Sequence, residues 1–368
     1  LRATDAGRAP CAVPALRIAA HATALPMHLT IKAAGALLPA ALARDLGSAL
    51  QVPALARLLA DADAGTTSQQ GNPDGTADDR WLAREVYATA GHAPTAPYAW
   101  AALRSQADRA VTLWHAEPIH VAIGRESLIV HALDAPPDED EAAALVAAAN
   151  EVLAADGCRL HRAGTSWFLH ASGQRRWHAP PMAAAHGRPL PVAALDDPDA
   201  LQWSRLHNAL QMRWHDDPVN RSRDERGLPP INALWLHGSG AWKPLPSLRW
   251  TALHSDRPEQ QGAAAAAGAR HAPALAPVAA DTLVEWDDAR RLDGQFDPQR
   301  WLAAMQAMDA RLAALPAHAT VELVLIGQHD ARSFVARPTT GWRTWRRVFA
   351  PRSPAALLAA ALAEAPAA

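Results

Sequence analysis

The chain has 368 residues, 49% of them hydrophobic and 20% charged, with a formal net charge of -2. That length allows two domains or one large domain with an insertion, and the apolar content supplies ample core. The near-neutral balance argues against a strong non-specific nucleic-acid binder, and no run of about 18 uncharged apolar residues offers a membrane span. Cys11 and Cys158, the two cysteines, form neither a disulfide framework nor a metal knuckle, which suits a reducing cytoplasm.

Residues 1–26 carry Arg2, Arg8 and Arg17 among Ala and Pro and read as a disordered tail or a mis-assigned leader ahead of Met27. Met27 to Ala33 alternates as a strand, with Gly35 and Pro39 as punctuation. Leu46 to Leu59 reads as helical, Ala64 to Asp78 as a flexible surface loop, and Trp81 to Ala90 as helix again. His115 to Ile123 and Ser127 to Leu133 flank Gly124-Arg125 as a hairpin with one buried face. Asp138 to Glu141 then forms an acidic N-terminus for a helix over Ala142 to Ala155, stopped by Asp156-Gly157. A second hairpin, Arg159 to Arg162 with Ser166 to His170, turns at Ala163-Gly164-Thr165, and an irregular Pro-rich segment follows from Ala179 to Pro191.

The richest stretch begins after Asp196 and Asp197, either of which suits an N-cap, with Pro198 in the first turn. Trp203, Leu206, Leu210 and Trp214 form an apolar stripe, and Asn208, Gln211 and His215 line the neighbouring face. Asp217 to Pro230 reads as a loop that brings Asn220, Arg221, Arg223 and Arg226 together; guanidinium forks suit carboxylate or phosphate. Ile231 to Leu236 reads as a buried strand running into Gly238-Ser239-Gly240, where backbone approaches a ligand or another strand closely. The same features also fit a solvated helix face and a surface turn.

Ala263 to Ala280 is Ala-rich low complexity, a loop or an exposed helix, and Thr282 to Trp286 is a strand ending in Asp287-Asp288. Pro298 to Leu315 is amphipathic through Trp301, Met305, Met308 and Leu312; Thr320 to Ile326 is a buried strand ending in Gly327-Gln328-His329-Asp330. The element order sets a compact α+β unit at about 114–217, between a tail at 1–26 and an Ala/Pro-rich C-terminal tail at 351–368.

Asp217-Pro218-Val219-Asn220, Arg226-Gly227, Ile231-Asn232-Ala233-Leu234-Trp235-Leu236 and Gly238-Ser239-Gly240, with Asn208 and Gln211-Met212 ahead of them, resemble the bacterial RpfE-type regulatory protein family. That family is phosphoglycerate mutase-like, and the run is also similar to archaeal-type cofactor-independent phosphoglycerate mutases. The resemblance implies an α/β fold, an alkaline-phosphatase-like core at 27–113 and 226–350 with an inserted α+β domain at 114–225. It points to Asn208, Gln211, Asn220, Arg221, Arg226, Asn232, Trp235, Gly238 and Gly240 as ligand-binding or domain-junction residues.

Phosphoryl transfer in that superfamily needs paired divalent metals held by Asp and His, and a Ser or Thr nucleophile. Here the first strand ends in Ile31-Lys32-Ala33-Ala34-Gly35 without an Asp, and Asp293-Gly294-Gln295 and Gln328-His329 stand where Asp-His pairs belong. No metal or cofactor is therefore expected, with Asp288, His329 and Asp330 as the remaining candidates, beside Asp287, for a single ion.

Three readings stay open. The first is a cytoplasmic, catalytically inactive regulatory protein that binds a small anionic or polar ligand or a protein partner, with neither nucleic acid nor membrane. The second is an active mutase or phosphohydrolase using Mn or Mg. The third is a scaffold whose polar run braces a domain junction.

Overall fold

The structure, a computed structural model, describes residues 27–68, 76–104, 111–173, 175–177, 179–189, 198–278, 281–289, 296–338 and 354–364. The expected tail at 1–26, the caps Asp196 and Asp197, and Asp293-Gly294-Gln295 lie outside these residues.

The larger sheet is built on β1 (Met27–Ala34), every residue of which but His28 is buried. Parallel to it run β10 (Thr282–Trp286) and β11 (Ala319–Ile326) on either side, then β8 (Ala252–His254) and β9 (Arg270–Ala272). Antiparallel β12 (Ala331–Ala336) and β2 (Asp63–Ser68) extend the other edge. Near-continuous apolar strands are what a parallel sheet covered on both faces requires.

One face of that sheet buries Leu29, Ile31, Ala33, Leu323 and Leu325 against α1 (Ala40–Gly47), α2 (Pro53–Asp61), α10 (Pro298–Ala313) and α11 (Pro354–Leu362). The opposite face carries Leu283, Val324, Ile326 and Leu253 under α3 (Ala77–Glu85) and α9 (Pro258–Ala266). Asp309 on α10 accepts from the Leu55 amide at 2.7 Å, so a carboxylate borrowed from a neighbour satisfies the first turn of α2.

The smaller, antiparallel sheet centres on β3 (Thr112–Ile123), which pairs with β4 (Leu128–His131), β6 (Ser166–Ala171) and β7 (Ala233–Ala241), while β5 (Cys158–Ala163) pairs with β6. Helices α5 (Glu139–Leu153) and α7 (Pro198–His215) cover one face, burying Trp114, Leu145, Leu210 and Trp214. The first of these starts at an Asp138–Glu141 capping box, and Gly157 closes its end at φ 66°.

Between the two sheets lies α4 (Thr95–Leu103), with Thr95 to Trp100 all buried. Its Ala96, Ala99 and Trp100 meet Leu113 and Phe168 of the small sheet, while Tyr98 joins the core under the large one. A helix enclosed on all sides shows no polar stripe.

Several expectations are corrected. The strand at Ile231–Leu236, assigned to the core, is β7 and pairs with β3 in the small sheet, because its alternate residues Leu234 and Leu236 fit the Trp114 core. Asp217 to Pro230 is no plain loop: Asp217 caps a short helix, α8 (Pro218–Glu225), by accepting from the Val219 amide at 3.0 Å. The loop expected from Ala64 to Asp78 contains most of β2, and Asp78 is a buried residue of α3. Leu46 to Leu59 is two helices, parted before Pro53. The Ala-rich run at 263 belongs partly to α9, whose Ala263 and Ala264 are fully buried on the sheet. The C-terminal tail contains α11, docked through Leu358, Ala361 and Leu362, with the Leu38 amide donating to the Leu362 carbonyl at 2.8 Å.

Gly262 fixes how closely α9 and α4 approach, since a Cβ there would lie 2.0 Å from the Tyr98 carbonyl oxygen. In an open helix Gly→Ala stabilises by about 0.5–1 kcal/mol. Gly262→Ala is expected to do the opposite, destabilising by about 1–3 kcal/mol through overpacking, read as a lower urea midpoint.

Candidate functional site

A cleft of about 220 Å³ opens between the two sheets, at the carboxyl ends of the parallel strands where open α/β sheets place their ligands. The start of α3 contributes Thr76, Asp78, Asp79 and Leu82; α4 contributes Thr95; β3 and β7 contribute His115, Glu117 and His237. Pro181 and the first turn of α6 (Met182–Ala185) form an apolar wall, and Arg257 and Glu259 close the site from the start of α9.

Local geometry explains each placement. Thr76 accepts from the Asp79 amide at 3.1 Å as N-cap of α3, which sets Asp78 and Asp79 in the first turn, where a helix dipole favours carboxylates. His115 and His237 sit directly opposite in the β3–β7 ladder, so their rings stack at 4.9 Å and 21°. Gly238, at φ 61°, lets β7 approach α4, since a Cβ would fall 2.2 Å from Thr95 Oγ1.

Behind the cleft wall sits a fully buried ammonium. Lys32 Nζ, on β1, lies 2.5 Å from Asp78 Oδ1, 3.1 Å from Glu285 Oε1 and 3.8 Å from Asp287 Oδ1. Glu285 is its cross-strand neighbour on β10 and also accepts from Ser255 Oγ at 2.8 Å. Arg257 contacts Glu259 at 2.5 Å, Asp78 at 3.5 Å and Asp287 at 3.7 Å. The two cations therefore share Asp78 and Asp287, while Glu285 pairs with Lys32 and Glu259 with Arg257.

Burial alone would lower the Lys32 ammonium, but Asp78, Glu285 and Asp287 outweigh it and hold the group above its ordinary value. Glu285 is pushed above the usual carboxylate range by burial, with Lys32 pulling the other way. Burial also raises Asp79, although the Ala93 amide donates to it at 3.2 Å. His115 is pushed down to about 4 by burial and by His237 beside it, so it is neutral at physiological pH. His237 Nε2 meets Glu117 Oε1 at 2.6 Å.

These carboxylates do not fit a metal pair, because Lys32 and Arg257 already occupy the space they converge on. Among the described residues no group of three or more His, Cys, Asp or Glu side chains is arranged to hold a metal ion. Asp287 belongs to the Lys32 cluster, but Asp288 and His329 are exposed and Asp330 pairs with Arg332 at 3.3 Å. The Arg80 guanidinium donates to the His329 carbonyl at 2.8 Å.

The other predicted residues are distributed along α7, α8 and β7. Asn208, Gln211 and His215 face solvent, as does Arg221. Asn220 is buried, donating to the Trp214 and Ile231 carbonyls at 2.7 and 2.9 Å and accepting from the Ile231 amide at 2.8 Å. Arg226 pairs with Glu141, Asn232 bridges the Val121 amide and carbonyl, and Trp235 Nε1 donates to the Pro180 carbonyl at 2.8 Å. Gly240 makes room for Pro94. Arg223 is fully buried, donating to Glu141, the Ala135 carbonyl and the Pro229 carbonyl. Gly238, beside Thr95 and His115, and Trp235, opposite Glu117 in the β3–β7 ladder, adjoin groups that line the cleft.

Sequence reasoning passed over Asp78, Asp79, His115, Glu117, His237, Arg257 and Glu259. Two signals pointed to them: Thr76-Ala77-Asp78-Asp79 is a helix start with an acidic first turn, and His115 and Glu117 share one strand face by period two.

No family model and no curated protein matches the chain. Among solved structures it is similar to the PH0037 protein from Pyrococcus horikoshii, with a TM-score of 0.51 at 12% identity over 85% of this chain and 87% of that one. A cofactor-independent phosphoglycerate mutase from Thermoplasma acidophilum aligns at a TM-score of 0.42 and 13% identity, over 85% of this chain and 90% of that one. The first likeness establishes a shared mixed α/β fold, and the second is too loose to add to it.

Two outcomes follow from the ion pairs. Lys32→Met is expected to destabilise the protein by about 3–5 kcal/mol near pH 8, because it strands buried carboxylates. Glu285 has a raised folded-state value, so its contribution is present while protonated and lost as pH rises through that value. Losing Lys32 raises the value further, so the deficit in urea unfolding should shrink toward pH 5. In the same assay Arg223→Ala should cost about 3–5 kcal/mol, and Arg226→Ala, half exposed, no more than about 1 kcal/mol.

Proposed function

We propose that this chain is a phosphoglycerate mutase-like protein of the RpfE type. In this reading an alkaline-phosphatase-like scaffold has given up metal-dependent phosphoryl transfer and serves in the cytoplasm as a binding or regulatory protein for a polar ligand. The observation that carries it is Lys32: an ammonium with no solvent exposure, 2.5 Å from Asp78 and 3.1 Å from Glu285, at the end of the central strand.

Two divalent cations bring four positive charges to hard oxygen ligands, and their carboxylates must be free to coordinate them. Lys32 and Arg257 supply two covalently tethered positive charges to Asp78, Glu259, Glu285 and Asp287 instead. To admit a metal the chain would have to expel a buried ammonium and re-form the site around the ion.

The wording shared with the RpfE-type family supports the relationship, and the cleft supports binding. Asn220, bonded to Ile231 ahead of β7, and Arg223, bonded to Glu141 of α5, support a bracing role for this run around α8. Among the described residues no helix is long and apolar enough to cross a membrane.

Elemental analysis of the purified protein, with a coupled mutase assay in manganese or magnesium, tests the reading. Substoichiometric metal and no turnover above the uncatalysed rate are expected. Stoichiometric divalent metal with turnover would restore the mutase alternative.

A further inference from the structure

We propose that the chain has a second ligand site, on the α10 face of the large sheet, where Arg311, Trp286 and His254 receive a small tetrahedral oxyanion: sulfate, phosphate or a phosphomonoester. The inference goes beyond the reading of the cleft and does not depend on it.

Strand register puts two of these side chains on one face. His254 ends β8 opposite Val284 of β10, and Trp286 lies two residues beyond Val284, so all three point the same way. Val284 and Trp286 belong to the core that α10 covers. Arg311, in the last turn of α10, reaches both neighbours. Its guanidinium stands 5.7 Å from the centre of the Trp286 ring and is the strongest charge acting on His254.

Each of the three carries a buried nitrogen with nothing to bond. His254 and Trp286 are 5% exposed, and His254 Nδ1, Trp286 Nε1 and Arg311 Nη1 have no hydrogen-bond partner among the described residues. Buried polar groups are ordinarily satisfied, so three such nitrogens on three adjacent elements call for a partner from outside the chain.

Charge gives that partner its sign. Arg311 Nη2 donates to the Ala276 carbonyl at 3.3 Å, but among the described residues no carboxylate pairs with the guanidinium. Burial holds Arg311 below its ordinary value; Asp256 opposes this from a distance, its Oδ1 accepting from the Ala274 amide at 3.2 Å. Burial, Arg311, His271 and Arg270 together hold His254 down, with the Ala276 carbonyl pulling the other way. A buried cation normally has a counter-charge, and an anion here supplies it.

Donor chemistry gives the class. The guanidinium and the indole N–H only donate, and an anion beside His254 favours the imidazolium, whose Nδ1 then donates too. Three donors from separate elements match the several oxygens of a sulfate or phosphoryl group, which guanidinium forks suit. Arg311 is partly exposed, so the site lies just below the surface.

Isothermal titration of the full chain near pH 7, at constant ionic strength in chloride, tests the proposal with sulfate, inorganic phosphate and glycerol phosphate against acetate and glycerol. Saturable one-site binding of the tetrahedral anions is expected, about tenfold or more tighter than acetate, with no saturable heat from glycerol. Glycerol phosphate binding more tightly than inorganic phosphate identifies a phosphomonoester; the reverse order identifies the free ion. Arg311→Gln should weaken sulfate binding about tenfold or more, and Trp286→Phe, which keeps a ring and removes the donor, about threefold or more. Both should retain the parent circular dichroism spectrum, and Trp286→Phe keeps the test readable if Arg311→Gln fails to fold. Arg221→Gln, at a solvent-facing guanidinium on α8, should bind sulfate like the parent. No saturable anion heat, acetate binding as tightly as sulfate, Arg311 and Trp286 variants that bind like the parent, or equal weakening by Arg221→Gln would overturn the proposal.

Discussion

An ammonium in the middle of a protein is costly to desolvate, and Lys32 is tolerated only because three carboxylates close around it. The rest of the site depends on that arrangement. Glu285 must stand beside Lys32 on the next strand, Asp78 must come down from the first turn of α3, and Arg257 must complete the balance from the start of α9. The ion cluster thereby ties β1, β10, α3 and α9 together at the end of the sheet where the cleft opens.

The second constraint is α4. Enclosed between the two sheets, it turns Tyr98 toward the larger core and Trp100 toward the smaller, while Gly238 and Gly240 let β7 approach its first turn. That packing leaves the cleft with a charged floor from the α/β layer and an imidazole wall from the small sheet. The stacked His115 and His237 are a product of strand register, which puts them opposite each other on β3 and β7.

Much of the fold was legible from periodicity. The two hairpins, the capped α5, the amphipathic α10 and the apolar strands β1, β10 and β11 all lie where the pattern predicts, because each presents a single buried face or a continuous apolar run. What escaped has a physical cause: α4 has no polar face, α9 ends in a Gly-Ala run that buries well without a stripe, and α8 has no apolar stripe and hangs on an Asp217 cap. Of the site, the chain order showed only Lys32 near the end of the first strand. That Lys32 gathers three carboxylates needed the third dimension, because its partners lie 46, 253 and 255 residues away in the chain. The polar run from Asn208 to Gly240 drew attention through its density of functional groups, and in the fold Asn220, Arg223 and Asn232 satisfy backbone and Glu141 close to their own elements.

The central claim is that this site carries its own cations. Diffraction from crystals soaked in manganese, with the anomalous signal recorded, tests it most directly. The account predicts the Lys32 ammonium in hydrogen-bond contact with Asp78 and Glu285 and no anomalous peak among the carboxylates; a peak between Asp78, Glu285 and Asp287, with Lys32 displaced, would contradict it.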